Sequence, residues 1–90
     1  MGIAKNIKEL SRIDYLILGS LRRNDALNPM FGLTIKEMGI TEVQRPCIWK
    51  HLNELVGREL VCQSGNYGKQ KMYYITQAGV NLLNGGNANV

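Results

Sequence analysis

The residues that could do chemistry in this 90-residue chain gather in two short stretches. The first runs Gln44-Arg45-Pro46-Cys47-Ile48-Trp49-Lys50-His51-Leu52-Asn53, and the second Tyr67-Gly68-Lys69-Gln70-Lys71. Neither looks catalytic. His51 is the sole histidine, one helical turn after Cys47, and two possible ligands do not make a metal site. The plain reading of His51 is a histidine on a helix surface. Glu9, Asp14, Asp25, Glu37, Glu42, Glu54 and Glu59 form no recognisable acid/base pair. The one Gly-rich stretch, Gly65-Asn66-Tyr67-Gly68, reads as a turn rather than a phosphate loop. Cys47, lying between Arg45 and Lys50, is a minor candidate for a redox thiol against the plainer role of a small first-turn residue. The expectation is therefore no enzyme, no metal and no cofactor. What both stretches offer is recognition. Arg and Lys pair with phosphate or guanine, and Asn and Gln with adenine.

A helix must position the first stretch. Read as one helix, the residues from Val43 to Val61 place Ile48, Leu52, Leu55 and Val56 on a single apolar stripe. Pro46, Lys50, Asn53 and Gly57 fall on the opposite face, flanked by Cys47 and Trp49. Proline is tolerated in a first turn and costs about 3 kcal/mol in an interior, so the helix is predicted to begin near Arg45 and to span 45–58. Gln44 or Arg45 would cap it. A start at Thr41, where Thr41 and Gln44 fit a capping box, would bury Pro46 inside the helix and is rejected.

The remaining elements follow in order. Residues 1–10 read as a short arm, with Ile3, Ile7 and Leu10 at helical spacing. A helix is predicted over 11–23, opened by a capping-box variant at Ser11 and Asp14 and closed by Arg22 and Arg23, which suit the helix dipole. Its stripe is Ile13, Leu16, Ile17 and Leu21. Tyr15 and Leu18 add apolar surface away from that stripe, which points to a homodimer formed through this helix. Residues 24–32 are a connection that contains Asn28-Pro29, and no role is assigned to it. Thr34 and Glu37 form a capping box for a short helix, with Ile35 and Met38 inward and Gly39 as its stop. After the long helix the period changes to two. Leu60–Ser64 and Met72–Thr76 are the predicted strands of a hairpin, with a basic tip at 65–71. Thr76 caps a last helix, 77–83, with Val80 and Leu83 inward, and residues 85–90 read as a disordered tail.

Composition agrees with one small α+β domain over 11–84. Hydrophobic residues make up 44% and charged residues 20%, which is ordinary for a globular protein. The net charge of +4 favours a polyanionic partner without requiring one, and no acidic residue follows Glu59. Two cysteines without a spaced framework fit a reduced, cytoplasmic setting. No signal peptide is expected, because charges interrupt the N-terminal residues, and no stretch approaches the ~20 apolar residues that span a bilayer.

Helix, short helix, longer helix, basic hairpin and closing helix is the order of the winged helix-turn-helix family. The chain resembles its small transcription regulators, of the multiple-antibiotic-resistance, phenolic-acid-repressor and arsenic-repressor kinds. LTIKEM resembles the opening of the family's second helix, and RPCIWKHLNELVGRELV its recognition helix and first wing strand. MYYITQAGVNLL resembles the second wing strand and closing helix, with Thr76 and Gly79 fitting the pattern. The chain departs from the pattern at Glu59, where the family usually has a glycine, so that corner is expected to turn differently. The 24–32 connection is also longer than usual.

The resemblance implies sequence-specific binding of double-stranded DNA by a homodimeric, nucleoid-associated regulator. The recognition helix would enter the major groove with Gln44, Arg45, Pro46, Cys47, Trp49, Lys50 and Asn53. The wing would meet backbone or minor groove with Tyr67, Lys69, Gln70 and Lys71. Trp49 serves equally well as packing beside the wing. Two alternatives stand: an architectural or plasmid-partition protein coating repeated DNA sites, and a winged helix used for protein contacts. The second would show exposed Leu, Ile or Phe where Pro46, Lys50 and Asn53 lie.

Overall fold

The computed structural model describes residues 10–84; the expected N-terminal arm, apart from Leu10, and the expected tail lie outside them. Helix α1 spans Arg12–Arg23. Its capping box is complete: Ser11 Oγ accepts from Asp14 N at 3.2 Å, and Asp14 Oδ2 accepts from Ser11 N at 3.0 Å. The buried stripe differs from the expected one. It runs through Asp14, Ile17, Leu18 and Leu21, while Ile13 and Leu16 are half-buried and Tyr15 is 48% exposed. Leu18, assigned to a partner-facing side, is fully buried. The reason is Asp14: a carboxylate at the head of the stripe hides it from a hydrophobicity pattern, and here that carboxylate is satisfied by hydrogen bonds. The apolar surface that α1 leaves exposed is correspondingly narrower, and Tyr15 is its one exposed large hydrophobic residue among the described residues.

Both long helices end in the same way. After α1, Asp25 N donates to Arg22 O at 3.0 Å and Ala26 N to Leu21 O at 2.9 Å, with Asp25 at φ 57°. After α3 (Arg45–Gly57), Glu59 N donates to Val56 O and Leu60 N to Leu55 O, both at 3.0 Å, with Glu59 at φ 64°. These are Schellman closures, whose left-handed residue is normally glycine. The corner at Glu59 was expected to turn differently from the family's glycine corner; it turns in the left-handed way with an acidic residue in the glycine's place.

Between the long helices, a 3-10 turn, Pro29–Phe31, precedes α2, Ile35–Met38. Thr34 and Glu37 box the start of α2, and Gly39 closes it at φ 70°. Ser20, fully buried, donates to Met38 O at 2.6 Å and so ties α1 to the end of α2. The hairpin is β1, Val61–Tyr67, paired antiparallel with β2, Gln70–Ile75. It is longer than expected, because Gly65, Asn66 and Tyr67 lie in β1 rather than in the turn. Ser64 is skipped between the Gln63–Tyr73 and Gly65–Met72 pairs. That bulge breaks the alternation at the point where the sequence pattern stops reading as strand. The turn itself is Gly68-Lys69, with Gly68 at φ 63°.

The connection now has a role. Ala26 O accepts from Ile75 N at 2.8 Å, and Leu33 exchanges two 2.8 Å hydrogen bonds with Tyr73. It therefore pairs with the edge of β2 that β1 does not use, leaving Met30 81% and Phe31 56% exposed. Gly32 packs closely here: a Cβ would collide with the Ser64 side chain and lie 3.3 Å from Tyr73 O. Helix α4, Gln77–Leu83, is capped by Thr76 and packs on α1. Its buried residue is Gly79, with Val80, Leu82 and Leu83 half-buried against the core. Ile17, Leu18 and Leu21 of α1 meet Ile48, Leu52 and Leu55 of α3 over Val61, Tyr73 and Ile75 of the hairpin. The architecture is α+β, a winged helix-turn-helix with α2 and α3 as its helix pair.

Candidate nucleic-acid interface

Helix α3 carries three faces. Ile48, Leu52 and Leu55 enter the core. Pro46, Lys50, Asn53 and Gly57 form an exposed face. Arg45 and Trp49, one turn apart, form a third face turned toward the hairpin. Pro46 stands in the first turn, so the helix begins where proline allows. Gln44 holds the N-cap position without a side-chain cap hydrogen bond, and its side chain is exposed. Cys47 is half-buried. No acidic residue occupies the first turn of α3, whereas Asp14 and Glu37 do so in α1 and α2. The first turn of this helix thus sets no acidic side chain against the positive end of its dipole.

The hairpin supplies the opposing wall. Lys69, Gln70 and Lys71 are exposed at its tip, and with Arg45 and Trp49 they line a cleft of about 300 Å³. Its floor is Ile35 and Tyr73. Tyr73 shares one face of β2 with Lys71, two residues away, and burial holds its phenol above the ordinary tyrosine range. Of the residues named from sequence, Arg45, Trp49, Lys69, Gln70 and Lys71 thus come together. Gln44, Pro46, Lys50 and Asn53 stand outside the cleft on α3, and Tyr67, 72% exposed, stands outside it on the wing. Trp49 is 48% exposed and packs in the groove between helix and wing.

Ile35 and Tyr73 were missed as parts of this site. Ile35 was expected to point inward, and it does pack half-buried against the core, but it also lines the cleft. The i, i+2 relation of Lys71 to Tyr73 was a usable signal, since alternate strand residues share a face.

His51 is not a free surface residue. Its Nδ1 lies 2.8 Å from Asp14 Oδ1, and the side chains are 20% and 8% exposed. An ionised carboxylate can only accept, so the tautomer that carries its proton on Nδ1 makes this hydrogen bond, with the imidazole as donor. The two oxygens of Asp14 therefore divide their work: Oδ2 closes the first turn of α1, and Oδ1 holds α3 in place. Among the described residues no three His, Cys, Asp or Glu side chains gather as a metal site would need, and no helix is long and apolar enough to cross a membrane.

The chain matches no family model and no curated protein. Among solved structures it is similar to TubR from Bacillus megaterium pBM400, at a TM-score of 0.75, with 22% identity over 89% of each chain. At that identity the likeness speaks for the backbone arrangement alone, and the backbone arrangement shared is the winged helix-turn-helix described above.

Proposed function

We propose that this protein binds double-stranded DNA, with α3 in the major groove and the hairpin tip on the backbone or in the minor groove. One observation carries the proposal: Arg45 of the helix and Lys69, Gln70 and Lys71 of the wing line a single cleft. A duplex presents a charged backbone beside a groove of readable base edges, and this surface presents cations beside an exposed helix face. The N-terminus of α3, with no acidic residue in its first turn, adds to the attraction for phosphate. Lys50 and Asn53 are the base-reading residues in this proposal, with Gln44 beside them. Lys69 and Lys71 hold phosphate, and Tyr67 packs on sugar or backbone. Pro46 and Cys47 bring the helix end close to the DNA.

The regulatory role, transcription control of the kind the sequence resemblance implies, belongs to the same proposal. So do the homodimer through α1 and a cytoplasmic, nucleoid-associated location. A protein-contact role is less well supported, since the outward face of α3 is Pro46, Lys50, Asn53 and Gly57. A second reading keeps the DNA surface and changes its use: an architectural or plasmid-partition protein that coats repeated sites. The exposed run Leu27, Met30 and Phe31 beside the wing favours it, because neighbours bound side by side need a surface on which to meet.

The test is a selection for bound DNA fragments, followed by binding at one ionic strength. Lys50→Ala or Asn53→Ala should cost about 1–3 kcal/mol on the selected site and much less on random DNA. Lys69→Ala and Lys71→Ala should weaken all sequences alike and lower the salt slope by about one each. Helix substitutions that change nothing while wing substitutions abolish binding would refute groove reading. A footprint over one palindrome supports a regulator, and a long protected array supports the coating protein. Light scattering that gives a monomer with and without DNA would refute the dimer.

A further inference from the structure

The cleft between α3 and the wing has more to it than a phosphate clamp requires. Its mouth carries Arg45, Lys69 and Lys71, and its lining includes no acidic side chain. Beside these cations and Gln70, its lining is apolar or aromatic: the half-buried Ile35, the buried Tyr73 and the half-exposed Trp49. A duplex keeps its bases stacked and offers such a cleft only phosphate and sugar. The aromatic part of the lining would then meet sugar edges at most, and no planar ring. A planar ring carrying a phosphate uses both parts, with the ring against the indole and the anion between the helix and wing cations. The volume, about 300 Å³, is at the lower end of the range for ligand sites.

We propose that this cleft binds a free nucleotide-like ligand, and that the ligand and duplex DNA exclude one another. The exclusion rests on the DNA-binding reading above, because both would use Arg45, Lys69 and Lys71. The ligand site itself rests only on the cleft. Binding would bridge helix and wing and withdraw three cations from the DNA surface, so the ligand acts as a release signal.

Trp49 is the sole tryptophan, so its emission reports on the cleft directly. The protein is titrated at fixed ionic strength with AMP, adenosine and inorganic phosphate, and separately with a labelled duplex followed by anisotropy. AMP is expected to change Trp49 emission saturably, with adenosine and phosphate each about tenfold weaker, as loss of the charged or the stacking contact implies. Lys71→Ala should weaken AMP about tenfold with the urea midpoint unchanged. AMP should also release the duplex competitively, with the same dissociation constant as in the emission titration. No saturable response to millimolar AMP, or a response matched by phosphate alone, overturns the proposal. The two readings fail separately. Duplex binding without AMP binding removes the ligand site and leaves the DNA interface. AMP binding that depends on Lys71, without any duplex binding, supports the ligand site and removes the DNA reading.

Discussion

Replacing Glu59 by glycine should stabilise this protein. Glu59 sits at φ 64° in the closure of α3, where the Glu59 N–H reaches Val56 O and the Leu60 N–H reaches Leu55 O, both at 3.0 Å. An L-residue in that conformation costs about 1–2 kcal/mol, because its Cβ crowds the following carbonyl. Glycine removes the crowding but gives the unfolded chain more freedom, which takes back about 0.5–1 kcal/mol. The expected net gain is about 0.5–1 kcal/mol. For a domain of this size that raises Tm by roughly 2–8 °C. Urea denaturation followed by far-ultraviolet circular dichroism should show a higher midpoint with an unchanged slope. Glu59→Ala is the control. It keeps the Cβ and should stay within about 0.5 kcal/mol of the wild type. If Glu59→Ala stabilises as much as Glu59→Gly, the gain comes from removing a carboxylate at the negative end of the helix dipole, and the backbone explanation is wrong. No gain from glycine would refute it as well. Asp25→Gly, at φ 57° after α1, should gain less, since aspartate visits this region more readily.

Three further outcomes are expected. Gly79→Ala should destabilise by about 1–3 kcal/mol by overpacking, because the new Cβ would lie 2.6 Å from both Leu60 O and Ile75 Cγ1; a thermal melt checks it. Asp14→Ala should cost about 2–4 kcal/mol and His51→Ala less, because the former also opens the first turn of α1. A double-mutant cycle in urea should give a coupling of about 0.5–3 kcal/mol, and exact additivity would show the 2.8 Å contact to be idle. Burial raises the Tyr73 phenol, so the folded state holds that proton more tightly than the unfolded chain. The stability this contributes is complete below the ordinary tyrosine pKa of about 10 and is lost as pH rises through the raised value. Tyr73→Phe should therefore flatten the fall in urea midpoint above that pH, and an unchanged alkaline profile would contradict the assignment.

Local signals were legible and tertiary ones were not. The capping boxes at Ser11–Asp14 and Thr34–Glu37 and the Thr76 cap lie within four residues of their partners, so residue type and spacing suffice to find them. Pro46 marks the start of α3 for the same reason, and Ile48, Leu52 and Leu55 declare its core face. The hairpin was found but shortened, because a bulge at Ser64 is a change of register and leaves no mark on composition. The Asp14–His51 contact joins residues far apart in sequence: Asp14 was read only as the capping residue of its own helix, and His51 as a surface residue of its own. The connection's hydrogen bonds to Tyr73 and Ile75 could not be read either, since backbone groups pair without regard to side chain. At the cleft, the cations were visible as a set. The apolar floor was not, because Ile35 and Tyr73 follow the same pattern as core residues.

The hairpin is gripped at one end only. Val61, Tyr73 and Ile75 are buried at its root, the bulge at Ser64 follows, and every residue from Asn66 to Lys71 is exposed. In mechanical terms it is a cantilever, clamped in the core and loaded at a free tip. Deflection of such a beam rises steeply with its length, so residues added at Gly68-Lys69 would widen the sweep of the lysines without disturbing the clamp. Their thermodynamic cost would be small, about 0.6 kcal/mol for each doubling of a loop. The reach of the tip is thus a dimension along which the sequence can vary while the root, and with it the stability of the domain, stays constant.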